Sequence, residues 1–203
     1  MPGNPIRGVE LPPNDEKRRT RVAPLEEAEA LLAALESEDQ VPYALAFYAG
    51  LCRAEIHRLR WEDVELGGYR LLIRKAKSDA GTNRRPPIAE PLRQILRAAA
   101  IRNPSEDAAP VSIVSVMSGK HAERADKAWA NAGPQRITLH ECRHTYASFL
   151  MAAGYTLKQL MEFMGHSDLQ MVQRYTKLLP QPEEQDLAER LNAYLAKRRR
   201  RHA

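Results

Sequence analysis

The 203-residue sequence predicts an α+β fold, mainly α, with one small antiparallel β-sheet of three strands. Three observations predict it. Apolar residues recur at helical spacing, as in "PLEEAEALLAAL", where Leu25, Ala28, Leu31, Leu32 and Leu35 share one stripe. The C-terminal third carries a succession of helix caps. Between them, the period changes to that of a strand around the turn "GG", in "VELGGYRLLIR".

Residues 1–23 read as a basic, proline-rich linker or arm, with four prolines and the cluster Lys17-Arg18-Arg19-Thr20-Arg21. A solvated tail and a phosphate-binding arm both fit it. Residues 24–180 form the main domain, and 181–203 a C-terminal helix with a basic tail. Pro24 opens the first helix, where its missing N–H costs nothing. A second helix, "PYALAFYAG", ends at Gly50. A short third one runs through "CRAEIHRL". The hairpin follows, then the loop "KSDAGTNRR". Pro86 and Pro87 lead into Ile88, a short edge strand where absent donors are tolerated. Helices are expected near 90–100 and 121–131, and "VSIVSV" between them fits either strand or loop. Thr138 with Glu141, Thr156 with Gln159, and Ser167 with Gln170 have capping-box spacing. Gly154 and Gly165 sit where helices end. After Pro180 a last helix aligns Leu187, Leu191 and Leu195 before "KRRRRH".

Composition narrows the function classes. A hydrophobic fraction of 43% supports a real core, so a disordered chain is excluded. The net charge of +5 suits a polyanionic partner. Cys52 and Cys142 form no C-x-x-C pair, which argues against a disulfide framework or a cysteine-rich zinc site. No apolar run approaches the ~18 residues of a membrane span, and no signal-peptide pattern opens the chain. The expected setting is the reducing cytoplasm.

"TLHECRHTYASFL", residues 138–150, has two readings. As His-Glu-x-x-His (His140, Glu141, His144) it is a zinc-hydrolase signature. As His-x-x-Arg (His140, Arg143) it is a phosphate clamp. If Thr138 is the N-cap, Glu141 bends back to the Thr138 N–H and has a structural task. His140 then lies in the first turn, where the helix end favours an anion, and Arg143 shares its face. A catalytic zinc also wants a third protein ligand, for which only Glu162 or His166 can be suggested. The segment favours phosphate over zinc. Two further signals are "GHSDLQMVQRY", from His166 to Tyr175, and "RKAKSDAGTNRR", a basic hairpin tip carrying Lys75, Lys77, Arg84 and Arg85. Tyr175 reads as packing or as an exposed phenol, and the tip as a solvated loop or a basic finger for DNA.

Taken in order, "GLCRAEIHRLRW", Lys77 in the hairpin, "LHECRH", "GHS" and Tyr175 resemble the catalytic domain of the tyrosine recombinases, the phage integrase family. The likeness runs from about residue 24 to 180. It implies the helical catalytic-domain fold with its small sheet. It implies DNA recombination and integration by strand cleavage and rejoining through a 3′-phosphotyrosyl intermediate, with no metal or other cofactor. In those roles Tyr175 attacks, Arg143 holds two phosphate oxygens, and His140 and His166 bond the phosphate or move protons. Lys77 protonates the leaving 5′-oxygen. Lys75, Arg84, Arg85, Lys17, Arg18 and Arg19 are the DNA-binding candidates. Double-stranded DNA is the implied partner, with self-association on it and the C-terminal helix docking in trans or packing in cis; no membrane is involved.

The sequence departs from the family at one position. Its pattern G-L-R-x-x-E puts an arginine where Cys52 stands, and Arg53 is one helical step, about 100°, away. Three readings remain: a substitution that cripples cleavage, a local backbone shift that lets Arg53 reach the phosphate, or a regulator that binds DNA without recombining it. The expected result is weak turnover with DNA affinity retained. A second departure is that only a linker precedes the catalytic domain in this sequence, where many relatives carry a core-binding domain; whether it is an excised fragment or a naturally short member, lower and more salt-sensitive affinity is expected.

Overall fold

A computed structural model describes residues 21–104, 107–168 and 175. Its helices are α1 (Leu25–Ala33), α2 (Ser37–Ala49), α3 (Arg53–Arg58), α4 (Glu90–Arg102), α5 (Lys120–Ala132), α6 (Leu139–Ala152) and α7 (Leu157–Met164). Between α3 and α4 lie strands β1 (Val64–Glu65) and β2 (Arg70–Leu71) and short 3-10 turns at Trp61–Asp63 and Asp79–Gly81.

Helix α2 is the axis of the domain. Every residue from Val41 to Ala49 is buried, as expected of a helix that is apolar all round. It packs on α6 and α4. Trp129 of α5 stacks edge-on against Tyr43, ring centroids 5.1 Å apart, and its indole N–H donates to the Leu31 carbonyl at 2.9 Å. One side chain thereby joins α1, α2 and α5, and its buried polar atom is satisfied. Asp39, also buried, accepts two hydrogen bonds from Arg124 and fixes the start of α2 to α5. The apolar interior falls into two clusters. The larger surrounds α2; the smaller is formed by Tyr146, Ala147, Leu150, Leu160, Met164 and Tyr175.

The caps follow their sequence signals. Thr138 Oγ1 accepts from the Glu141 N–H while the Glu141 carboxylate accepts from the Thr138 N–H, and Thr156 with Gln159 repeats the pattern. Gly165 ends α7 in the left-handed conformation (φ 66°). Gly154 follows α6 with φ 83°. Helix α2 begins earlier than its apolar run suggests, at Ser37. "VSIVSV" is loop, held along the chain by the Val111 N–H donating to the Leu59 carbonyl at 3.1 Å.

The three-strand expectation needs correction. Among the described residues the sheet has two strands, paired Val64 to Leu71 and Glu65 to Arg70. The segment before Ile88 runs beside β2, but only as isolated bridges, Arg70 to Pro87 and Ile73 to Arg84. Pro86 and Pro87 lack N–H groups, so a continuous ladder cannot form there. The Ile73–Arg84 bridge closes the base of the loop that carries Lys75 and Lys77. The Ser167–Gln170 cap, the last helix with Leu187, Leu191 and Leu195, and most of the 1–23 arm lie outside the described residues.

Gly50 ends α2 at φ 64°, and a Cβ built there would meet Tyr146 Cδ1 at 2.3 Å. Both the backbone conformation and the contact oppose a larger residue. Gly50→Ala is therefore expected to destabilise the domain by about 2–4 kcal/mol, the left-handed and overpacking penalties combined. Urea unfolding measures it, and a loss below about 1 kcal/mol would show that the α2–α6 corner relaxes freely.

Candidate functional site

Three separate pieces of chain meet at Arg143: its own helix, residues 50–55 and residues 164–166. The Thr138 cap starts α6 so that His140 lies exposed in the first turn while Arg143, one turn later, points inward. Arg143 Nη1 donates to the Gly50 carbonyl at 2.6 Å and to Glu55 Oε2 at 3.3 Å. Nη2 donates to the Met164 carbonyl and stands 3.4 Å from His166 Nε2. The carbonyls come from the C-terminal ends of α2 and α7, where the helix dipole is negative and a cation is favoured.

Glu55 is the shared anion. It accepts from Arg84 Nη1 and Nη2 at 2.7 and 2.8 Å, and from the Cys52 N–H at 2.8 Å. Arg84 also donates to the Phe163 carbonyl at 2.9 Å and the Gly81 carbonyl at 3.0 Å. Burial alone raises the Glu55 pKa, but the Arg84 hydrogen bonds and charge, with Arg143 behind them, bring it below the usual carboxylate range. Burial pulls the Arg143 pKa down and Glu55 opposes that shift. Two guanidiniums against one carboxylate leave a surplus positive charge in a low-dielectric corner, an arrangement suited to an anion at its surface.

Tyr175 and His144 extend the site. The Tyr175 hydroxyl is hydrogen-bonded to His144 Nδ1, and His144 Nε2 lies 3.0 Å from His140 Nε2. Tyr175 is 2% exposed and His144 5%, whereas His140 faces solvent. Tyr175 also lies close enough to Arg143 to influence its charge.

The structure thus brings His140, Arg143, His166 and Tyr175 together. Lys77 is exposed on a neighbouring loop. That loop is docked on the same corner, because Ser78 Oγ donates to the Gly165 carbonyl at 3.0 Å and a Cβ on Gly165 would meet Gly81 Cα at 2.6 Å. Lys75 and Arg85 are exposed on the finger. Arg84 is not: it is 4% exposed and both its terminal nitrogens are bound to Glu55, so its expected place among DNA contacts is corrected to an internal tie. Lys17, Arg18 and Arg19 lie outside the described residues.

Cys52 caps α3 and lines a cleft of about 480 Å³ with Arg53, His121, Arg136, Thr138 and His140. Burial, then Glu55, pushes its thiol pKa up, which favours the neutral thiol. Arg53 does not replace the missing arginine here. Its guanidinium donates to the Val116 and Met117 carbonyls, so the reading in which it reaches the phosphate finds no support in this geometry. The zinc reading also meets an obstacle: the Glu141 carboxylate is committed to the Thr138 cap. Among the described residues no three His, Cys, Asp or Glu side chains converge on one point.

Sequence reasoning passed over two participants. His144 entered only as a possible zinc ligand, and its signal was its inward position on α6 beside Arg143. Glu55 is the last residue of the G-L-R-x-x-E pattern, and a lone carboxylate among Arg53, His57 and Arg58 is itself a sign of charge pairing.

A family model described as the phage integrase family matches residues 21–181. The chain belongs to that family. The phage integrase match is joined by curated relatives: tyrosine recombinase XerC of Pseudomonas fluorescens strain Pf0-1 is 31% identical over 189 residues, covering 86% of this chain and 61% of the relative. Tyrosine recombinase XerA of Thermococcus kodakarensis is 25% identical over 177 residues, covering 82% and 61%. The chain therefore spans about three fifths of the length of these relatives. Among solved structures, the XerA recombinase superposes with a TM-score of 0.64 at 20% identity, over 91% of this chain and 66% of that one. The catalytic domain of bacteriophage HP1 integrase gives 0.61 at 22% identity, over 84% and 94%. These likenesses establish the integrase catalytic-domain fold.

Removing Glu55 would leave two guanidiniums buried without their anion. Glu55→Ala is expected to cost about 3–5 kcal/mol, measured by urea unfolding at neutral pH. The folded pKa lies below the unfolded one, so the carboxylate's contribution is complete above ~4.3 and fades as pH falls through the folded value. The stability gap between the native chain and Glu55→Gln should accordingly narrow in acid. A gap independent of pH would contradict the charge pairing.

Proposed function

We propose that this chain is the catalytic part of a site-specific recombinase that cleaves and rejoins double-stranded DNA through a 3′-phosphotyrosyl intermediate. The observation that supports it is the convergence of His140, Arg143, His166 and Tyr175, from separate segments, on one positively biased corner. A phenol is a poor nucleophile until its proton leaves, since its ordinary pKa is about 10. The attacked phosphate gathers negative charge on its non-bridging oxygens, and fixed cationic donors offset that charge better than mobile water. In this reading Arg143, His140 and His166 face those oxygens, Lys77 protonates the departing 5′-oxygen, and Tyr175 holds the 3′-phosphate. Tyr175 is buried, so its hydroxyl must become accessible before it meets a duplex phosphate. In this reading residues 24–180 form the catalytic unit, 1–23 serve as a basic linker or arm, and 181–203 as a tail that docks in trans or packs in cis.

A second reading has its own observation. Cys52 provides no cation at the position where the family carries an arginine, and Arg53 is spent on backbone carbonyls. A chain with that gap fits a DNA-binding regulator, or an impaired recombinase, that occupies its site with little turnover.

A nicked suicide substrate separates the two. Covalent protein–DNA adduct that vanishes in Tyr175→Phe supports the recombinase. Cys52→Arg should raise the rate of adduct formation about 100- to 1,000-fold, the value of one charged transition-state donor. No adduct in either form, with binding intact, supports the regulator. Lys75→Ala and Arg85→Ala should each weaken binding to all sequences alike and reduce the salt slope by about 1. Unchanged slopes would take the finger off the DNA.

A further inference from the structure

We infer that His144 is the group through which the Tyr175 proton leaves, passing it to His140. The inference rests on the strand-cleavage reading above and adds a step to it. Three rings form an unbroken chain from the interior to the surface. Tyr175 Oη is hydrogen-bonded to His144 Nδ1, with ring centroids 5.5 Å apart. His144 Nε2 is 3.0 Å from His140 Nε2, with the rings edge-on at 80°. The first two groups are buried and the third is exposed. A buried phenol has no direct route to bulk water, and a neutral imidazole can accept at one nitrogen while donating from the other.

The relay assigns one tautomer to each ring. His144 accepts from the phenol at Nδ1 and carries its hydrogen on Nε2, directed at His140. His140 accepts at Nε2 and keeps its hydrogen on Nδ1. As the Tyr175 oxygen bonds to phosphorus, its O–H bond breaks and the proton moves to His144 Nδ1. The His144 Nε2 proton moves to His140 Nε2. His144 ends neutral in the opposite tautomer, and His140 ends as an imidazolium. The P–O5′ bond breaks with its electron pair on the 5′-oxygen, which takes a proton from Lys77 in the same reading. The new positive charge on His140 appears beside the phosphate, where it is useful. The sequence alternative in which His140 and His144 share a metal assigns these nitrogens a different task. In the relay they hold protons instead.

The test is made in the Cys52→Arg chain with the nicked suicide substrate, by the rate of covalent adduct. His144→Phe removes both ring nitrogens, and His144→Gln keeps a polar group of similar reach without the relay. Each is expected to slow adduct formation by about 100- to 10,000-fold, the range of positioned proton transfer. A tetrafluorotyrosine installed at position 175 is ionised near neutral pH and needs no base. It should recover most of the lost rate in the His144 variants and give no comparable gain when His144 is intact. That rescue distinguishes proton removal from packing, since a merely structural loss is blind to the phenol's acidity. If His144→Phe unfolds, as circular dichroism would reveal, the Gln variant carries the comparison. Undiminished rates in the His144 variants, or folded slow variants that the fluorinated residue does not rescue, overturn the relay and leave strand cleavage standing. Absence of adduct with His144 intact overturns the cleavage reading and the relay with it.

Discussion

Two guanidiniums share one carboxylate at the centre of this domain, and most of the site depends on that sharing. Glu55 binds Arg84 through two hydrogen bonds and touches Arg143 with one of the same oxygens. Its oxygens also accept the Cys52 N–H, which sets the start of α3. A single buried anion therefore fixes the finger, the cleft wall and the central arginine relative to one another. Buried ion pairs are often retained less for net stability than for a defined arrangement. Here the arrangement serves that end, because Arg143 is held with its charge incompletely neutralised beside His166.

The same geometry explains how chain segments far apart in sequence act together. Gly165 lets the Lys77 loop approach the turn after α7 to backbone distance. Arg84 reaches from that loop to the Phe163 carbonyl and to Glu55. A residue on the finger is consequently tied both to the turn that carries His166 and to the helix that begins at Cys52. Arg84 looks like a groove contact in a list of basic residues, yet its chemistry is inward. Arginine suits that role, since its planar fork satisfies a carboxylate with two bonds and still has donors for carbonyls.

Tyr175 belongs to the smaller apolar cluster as much as to the site. It shares that cluster with Leu150, Leu160 and Met164, and its hydroxyl is bonded to His144. In the proposed reaction, a nucleophile kept in a core is shielded from adventitious substrates. It also has its oxygen desolvated, which raises the cost of ionisation unless a partner takes the proton. In the proposed relay that cost makes the histidine pair, and not only the arginine, a determinant of reactivity.

Much of the architecture was legible in the sequence because its causes are local. Helical spacing in α1, the capping residues Thr138 and Thr156, and the breaks at Gly50 and Gly165 act over a few neighbours, so adjacent residues suffice to read them. The ordered motifs also carried the family, since their spacing survives when overall identity is low. Other features depended on partners the sequence does not bring near. The third strand failed because two prolines withhold donors from an otherwise well-placed segment. Arg84 turned inward because Glu55, 29 positions earlier, waits for it. The bond between His144 and Tyr175 joins residues 31 positions apart. The sequence alone determined which residues are chemically able to hold a phosphate. Tertiary packing decided which of them gather at one corner and which hold the others in place, since burial and pairing are properties of the assembled interior.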